Sequence, residues 1–275
     1  MNKPIINLDT LTLKSGGHDN FAEGSCLLEA VSYIAGEPWS DHPACVSPVL
    51  GAYGRRLNDR LNNEDRQKLK PFIPRLIGTA GDGQDEARGY LAADWAIRVV
   101  TPRWLDAAGL TVPAAELRAL QPIVDAQTAE AAEEPARQAR AEAWAARQKS
   151  RDTLRERVKA ELAKRGIPAV AVAVAADVDA AVAAAVAVAV AVDAAVAVDV
   201  AVDAAVAAAV AAAVDVAVDG SDAYWKIRNA VYDAIYKKTR TAVETKFAEV
   251  IEVTNREAIE LLGLMINPSA NPTAS

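Results

Sequence analysis

The sequence predicts an all-α protein. A compact N-terminal helical domain comes first, followed by long alanine-rich helices arranged as a hairpin or an extended rod. Three observations support this. Helix start and stop residues punctuate residues 18–125 at short intervals. From residue 126 the composition shifts to alanine, glutamate and arginine. Between residues 169 and 219 the chain is almost wholly Ala, Val and Asp.

Residues 1–17 form an N-terminal segment with one possible short strand over 8–13, ending at Gly16-Gly17. Ser25 is placed as N-cap of a helix over 26–35, closed by Gly36. Ser47 followed by Pro48 starts a second helix running to about Leu61, because proline at the first helical position loses no hydrogen bond. That helix presents Val49, Tyr53 and Leu57 at spacing four. Asn62 starts a shorter helix. Residues 85–100 read as an amphipathic helix with Leu91, Trp95 and Val99 on one face and Asp85, Glu86 and Arg88 outside. Pro102 and Pro113 open two further short segments. Residues 126–167 read as a charged, solvated helix, with Pro135 marking the first turn of its second part. Residues 220–266 read as an amphipathic C-terminal helix with Val231, Ile235, Phe247, Val250 and Leu261 on its apolar face. Residues 267–275 are a disordered tail.

The low-complexity helix is placed over 168–219. From Val170 to Val218 every valine has an even number, and the seven aspartates from Asp177 to Asp219 all have odd numbers. Alternation is formally a strand pattern, but a single strand of about fifty residues would span roughly 165 Å, and no Gly, Pro, Asn or Ser interrupts residues 169–218. Alanine is the best helix former and a poor strand former. Rows at spacing four, such as Val178, Val182, Val186 and Val190, suit one or two helices totalling up to about 75 Å. The parity itself suggests tandem expansion of a short DNA unit. Residues 134–166 hold ten Lys or Arg against five Asp or Glu, and residues 169–219 hold seven Asp and no basic residue. Gly166 and Pro168 lie between them, so a basic helix folding back on an acidic one is the expected arrangement.

The net charge of −7 disfavours general nucleic-acid affinity. The longest uncharged run of the alanine–valine block, residues 180–192, is too short for a membrane span. Two cysteines and no apolar signal core point to a cytoplasmic protein with reduced thiols.

Both histidines and both cysteines fall between His18 and Cys45. Thiolate and imidazole are preferred ligands of zinc, so His18, Cys26, His42 and Cys45 are candidate metal ligands and zinc is a possible cofactor. Only His42 and Cys45 have a familiar spacing. Cys26, in the first turn of a helix, is alternatively a candidate nucleophile, with His42 as base and Asp41 or Glu29 orienting it. The structural reading places Cys26, Leu27, Val31 and Ile34 in the core and leaves Asp41 and His42 in a proline-bounded turn. Gly81-Asp82-Gly83 reads as a turn, Arg55, Arg56 and Arg60 as a solvated helix face rather than an anion site, and Trp39, Trp95 and Trp104 as core anchors rather than a ligand box.

Residues 26–45, CLLEAVSYIAGEPWSDHPAC, resemble the opening of an uncharacterised family of actinobacterial and actinophage proteins. RLND at 56–59, IPRLIG at 73–78 and DEAR at 85–88 extend the likeness over about the first 120 residues. Alanine-rich runs follow the shared region in that family too. The resemblance implies no activity. It places Glu29, Glu37, Asp41, His42 and Cys45 inside the shared motif, with Pro43 fixing the turn. The expectation overall is a non-enzymatic helical interaction or scaffold protein, engaging a protein partner or itself through the long helices. The alternative is a Cys/His-dependent hydrolase or metal-binding protein using residues 18–45.

Overall fold

The computed structural model describes residues 8, 10–164, 241, 245 and 247–268. Among them every regular element is helical, as the sequence predicts. The low-complexity block, with its hairpin or rod, lies outside the described residues, as do Val231, Ile235 and residues 269–275. In place of the strand expected over 8–13 there is one parallel bridge, Leu13 to Ser25. The Gln67 amide explains its shortness. Gln67 accepts from Leu13 N–H and donates to Leu13 C=O, both at 2.9 Å, and so stands in for a neighbouring strand.

The described residues belong to two compact units. The first comprises Met1–Arg98, Gln121–Ala132 and Ile251–Ser275, and the second Val99–Leu120 and Glu133–Val250. The compact region expected over 18–125 therefore lacks residues 99–120 and gains the end of the C-terminal helix.

In the first unit, α1 (Leu27–Ala35) is capped by Cys26, one residue later than expected. Ser25 is unavailable because its hydroxyl donates to Cys26 C=O and its own carbonyl accepts from Lys14 N–H. Gly36, at φ 74°, closes the helix in the left-handed conformation. Helix α2 (Pro48–Arg60) begins at Ser47 as expected and buries Leu50, Gly54 and Leu57. Leu57 of the expected face lies in the core and Val49 and Tyr53 pack partly buried against it, so the inward face is the expected one, widened to Leu50 and Gly54. Gly54 favours this close approach of α2 to α1, since a Cβ there would lie 3.0 Å from a Leu28 methyl, tighter than ordinary van der Waals contact. Asn62 caps α3 (Asn63–Gln67), and a 3₁₀ turn (Lys70–Phe72) leads into α4 (Ile73–Leu76).

The amphipathic helix expected over 85–100 ends earlier. Helix α5 spans Asp85–Asp94, a π-helical stretch follows over Trp95–Val100, and α6 spans Thr101–Ala107. Pro102 accounts for the widened turn, because in a regular helix its ring would clash with the carbonyl four residues back. Arg88, expected outside, is completely buried, and Val99, expected inside, is exposed.

The last described helix, α9 (Ala248–Ile266), supplies Ala258, Leu261, Leu262, Met265 and Ile266 to the core that contains Leu27, Leu28, Val31, Leu50 and Ile73. Burying each large aliphatic side chain contributes about 1.5–3 kcal/mol. Polar bonds fix the register. Tyr53 donates to Ala258 C=O at 2.9 Å, and Arg75 donates to Gly263 C=O at 3.3 Å.

In the second unit, α6 packs on α7 (Thr111–Arg118), and Trp104 stacks on Phe247 at 5.3 Å between ring centroids. Helix α8 (Ala126–Lys164) joins the two units covalently and is about 58 Å long. Asp125 starts it by accepting from Thr128 N–H. Pro135 lies inside the helix and does not divide it. The carbonyl it leaves without a partner belongs to exposed Ala131, which water can satisfy. Among the described residues no helix is long and apolar enough to cross a membrane.

Candidate functional site

The spacing Cys26-x-x-Glu29 sets the local structure of the first candidate region. Glu29 N–H bonds to Cys26 Sγ at 3.4 Å and Cys26 N–H donates to Glu29 Oε2 at 2.7 Å, forming a capping box at the start of α1. The same carboxylate accepts His18 N–H at 2.7 Å and meets His18 Nδ1 at 2.9 Å. Glu29 is buried with its acceptors committed, and it ties the 18–25 loop to α1. Trp39 closes that loop by donating to His18 C=O at 2.6 Å, while Phe21 stacks on Tyr33 with the Trp39 edge against both rings.

Cys26 is 4% exposed. Burial pushes its thiol up to about 12, and the nearby Glu29 charge acts in the same direction. Those surroundings suppress the thiolate a nucleophile requires. Neither imidazole is hydrogen-bonded to Cys26. Its expected base, His42, instead lies on the surface with Nδ1 2.5 Å from Asp41 Oδ1, and Glu29 orients His18 rather than His42.

The second half of the region is organised by Glu37. Its two oxygens accept from Ala44 N–H at 2.6 Å and Cys45 N–H at 2.8 Å, clamping the turn that buried Pro43 fixes. The hydrogen bond from the Cys45 thiol, joined by these N–H donors, holds the Glu37 carboxyl below the usual range. Cys45 itself is raised, first by burial and then by Glu37. The four predicted zinc ligands therefore have four separate tasks. Among the described residues no group of three or more His, Cys, Asp or Glu is arranged to hold a metal ion.

Two features escaped the sequence reading. Arg88 is the polar hub of the first unit. It holds Asp82 through two bonds of 2.7 and 2.5 Å and Asp85 through one of 3.0 Å. It also donates to the Met265 and Ile266 carbonyls at 2.9 and 3.3 Å, where the end of α9 leaves acceptors without helical partners. Asp85 in turn accepts from the Ser47 hydroxyl that caps α2. The second feature is a cleft of about 480 Å³ bordered by His42, Pro43, Gly51, Arg55 and Asp85. Another cavity, of about 550 Å³, lies beside His18 and is lined by Lys14, Gln67 and Lys70.

Trp104 is buried, while Trp39 and Trp95 are half-buried. Arg56 and Arg60 are exposed, and Arg55 alone of that trio turns into the cleft. In comparisons with protein-family models, curated proteins and solved structures, no match to the chain was found.

Proposed function

We propose that the chain is a non-enzymatic interaction protein that engages a protein partner, or a second copy of itself, through its long helices. The observation supporting this most directly is that His18, Cys26, Glu29, Glu37 and Cys45 are committed to local structure, while His42 faces solvent beside Asp41. Cys26 and Glu29 cap α1, Glu29 anchors His18, and Glu37 clamps the turn before Cys45. The resemblance of the first 120 residues to actinobacterial and actinophage proteins brings no reaction that would compete with this reading.

On α8, Trp144 is 57% exposed and Arg147 stacks over its ring at 5.4 Å. Tryptophan and arginine are the residue types most enriched at binding hot spots. Ala139 and Ala143 are buried, while Arg137 and Arg140 are exposed on the same helix. An apolar ring beside a surplus of basic charge suits a partner with acidic and apolar groups.

Sedimentation of the full chain beside its Trp144→Ala variant is the test. A self-associating or partner-bound full chain that the variant leaves unassembled supports the reading. Ester or thioester turnover that disappears in Cys26→Ser, with helicity kept, overturns it. Thiol labelling gives an independent check. With its thiol raised from 9.0 to about 12, native Cys26 should react about a thousandfold more slowly than a free cysteine. Rapid labelling of Cys26 in the folded chain would restore the nucleophile.

A further inference from the structure

We propose that the cleft beside the start of α2 binds a small ammonium carboxylate, of the size of a free α-amino acid, with Arg55 holding the carboxylate and Asp85 the ammonium group. This assigns a ligand site independent of the helix-mediated interactions above.

Ser47, Gly51 and Arg55 recur every four residues on α2 and so lie along one side of it. Helical side chains lean towards the N-terminus, and Arg55 follows this strongly. A Cβ built on Gly51 would lie 3.3 Å from Arg55 Nη1, so the guanidinium rests over Gly51, a full turn before its own Cα. A glycine inside a helix is destabilising relative to alanine. Here its missing side chain gives the guanidinium a seat in the cleft wall.

Arg55 is half-buried and makes one hydrogen bond among the described residues, from Nη1 to Asp41 C=O at 3.0 Å. A guanidinium has five N–H donors in a planar fork that matches a carboxylate. The other buried guanidinia of this unit are filled. Arg66 donates to Asn58 and Leu61 carbonyls and to Asn63 Oδ1, and Arg88 is held as described. Arg55 thus brings a cation with open donors to a cleft of about 480 Å³, within the usual size range of ligand pockets.

The opposite charge lies one helical turn away. Asp85 is tied to Ser47 at the start of α2, and its side chain remains 42% exposed. Ser47 and Gly51 are separated by about 6 Å along the helix. That offset suits a ligand whose ammonium and carboxylate groups are joined through one carbon, each reaching its partner by a hydrogen bond of about 2.8 Å. A bare anion fits less well. Asp41, Asp82 and Asp85 outnumber Arg55 and Arg88 around the cleft, so a second negative charge would enter a field already negative unless His42 were protonated. Pro43, Ala44 and Pro48 form an apolar border for a short aliphatic side chain.

The experiment is an NMR titration of the full chain with L-valine, following the Gly51 and Gly81 amides, with acetate and ethylamine as single-charge controls. Saturable shifts with a dissociation constant of about a millimolar are expected for L-valine, with each control at least about tenfold weaker. Arg55→Gln should weaken binding about tenfold or more. Gly51→Ala should weaken it severalfold while leaving helicity at least equal to that of the original chain. No saturation up to about 20 mM, equal binding by acetate alone, or undiminished affinity in Arg55→Gln would each overturn the proposal.

Discussion

Arg88 and Arg137 each contact two carboxylates, yet they stand for two different ways of using a helix. Arg88, in the first unit, is fully buried and joins the 82–85 loop, the cap of α2 and the end of α9. Arg137, on α8, is 60% exposed and meets Glu133 and Glu134 on its own helix. The first arrangement links residues far apart in sequence, so it fixes tertiary structure. The second links positions three and four residues apart, so it supports a helix without specifying what packs on it. The neighbouring side chains follow the same division. Leucine, isoleucine and methionine fill the core around Arg88, whereas among the described side chains of α8 in the second unit the buried ones are Ala139 and Ala143.

The contrast can be broken most sharply at Arg88. Replacing it by methionine removes its bonds to the Met265 and Ile266 carbonyls and leaves Asp82 with Gln84 N–H and Asp85 with the Ser47 hydroxyl as donors. A loss of about 3–5 kcal/mol in urea unfolding is expected. A loss below about 1 kcal/mol would mean that the apolar face of α9 and its bonds from Tyr53 and Arg75 hold it without help from Arg88.

A smaller effect comes from pH. Hydrogen bonding from Arg88 holds the Asp82 carboxyl below its ordinary value of 3.8. Because the folded-state value is the lower one, the stabilisation is fully present above the unfolded value and is lost as pH falls through the folded one. That stabilisation should disappear in the acidic window, and Asp82→Asn should remove this part of the pH dependence. An unchanged acid limb in Asp82→Asn would assign the effect to other carboxylates.

Arg137→Ala should matter least, at about 0.2–0.5 kcal/mol per pair lost, and less at high salt. Helicity and thermal midpoint of the full chain would measure it. A change as large as that at Arg88 would erase the distinction between the two regions.

These differences also explain what could be read beforehand. The starts of α2 and α3 were legible at Ser47-Pro48 and Asn62, because cap chemistry is local. The long helix after Asp125 followed from composition. Arg88 was placed outside because periodicity weighs only its neighbours on α5, while its anchor Met265 lies 177 residues away. The Val49–Tyr53–Leu57 face of α2 is legible from spacing, but its extension to Leu50 and Gly54 is not, because the contact of Gly54 with Leu28 crosses between helices. At the candidate site, Cys26 reads either as core or as a nucleophile served by His42, with Asp41 or Glu29 orienting that base, and neither reading uses the interval from Cys26 to Glu29. That interval is the spacing of a capping box. Arg55 looked like one more member of a solvated charge run, since nothing local shows that Gly51 leaves room for it to fold back.

The entry of α9 into the first unit bears on how the chain can be made. Translation proceeds at roughly 5–20 residues per second, so about 6–24 s separate the synthesis of residue 132 from that of residue 251. For that interval the nascent N-terminal helices lack Leu261, Leu262 and Met265 from their core, and Arg88 lacks the carbonyls it will cap. Folding of the first unit is therefore completed late, and a ribosome stalled within the repetitive stretch would strand a half-built core exposed to chaperones and proteases.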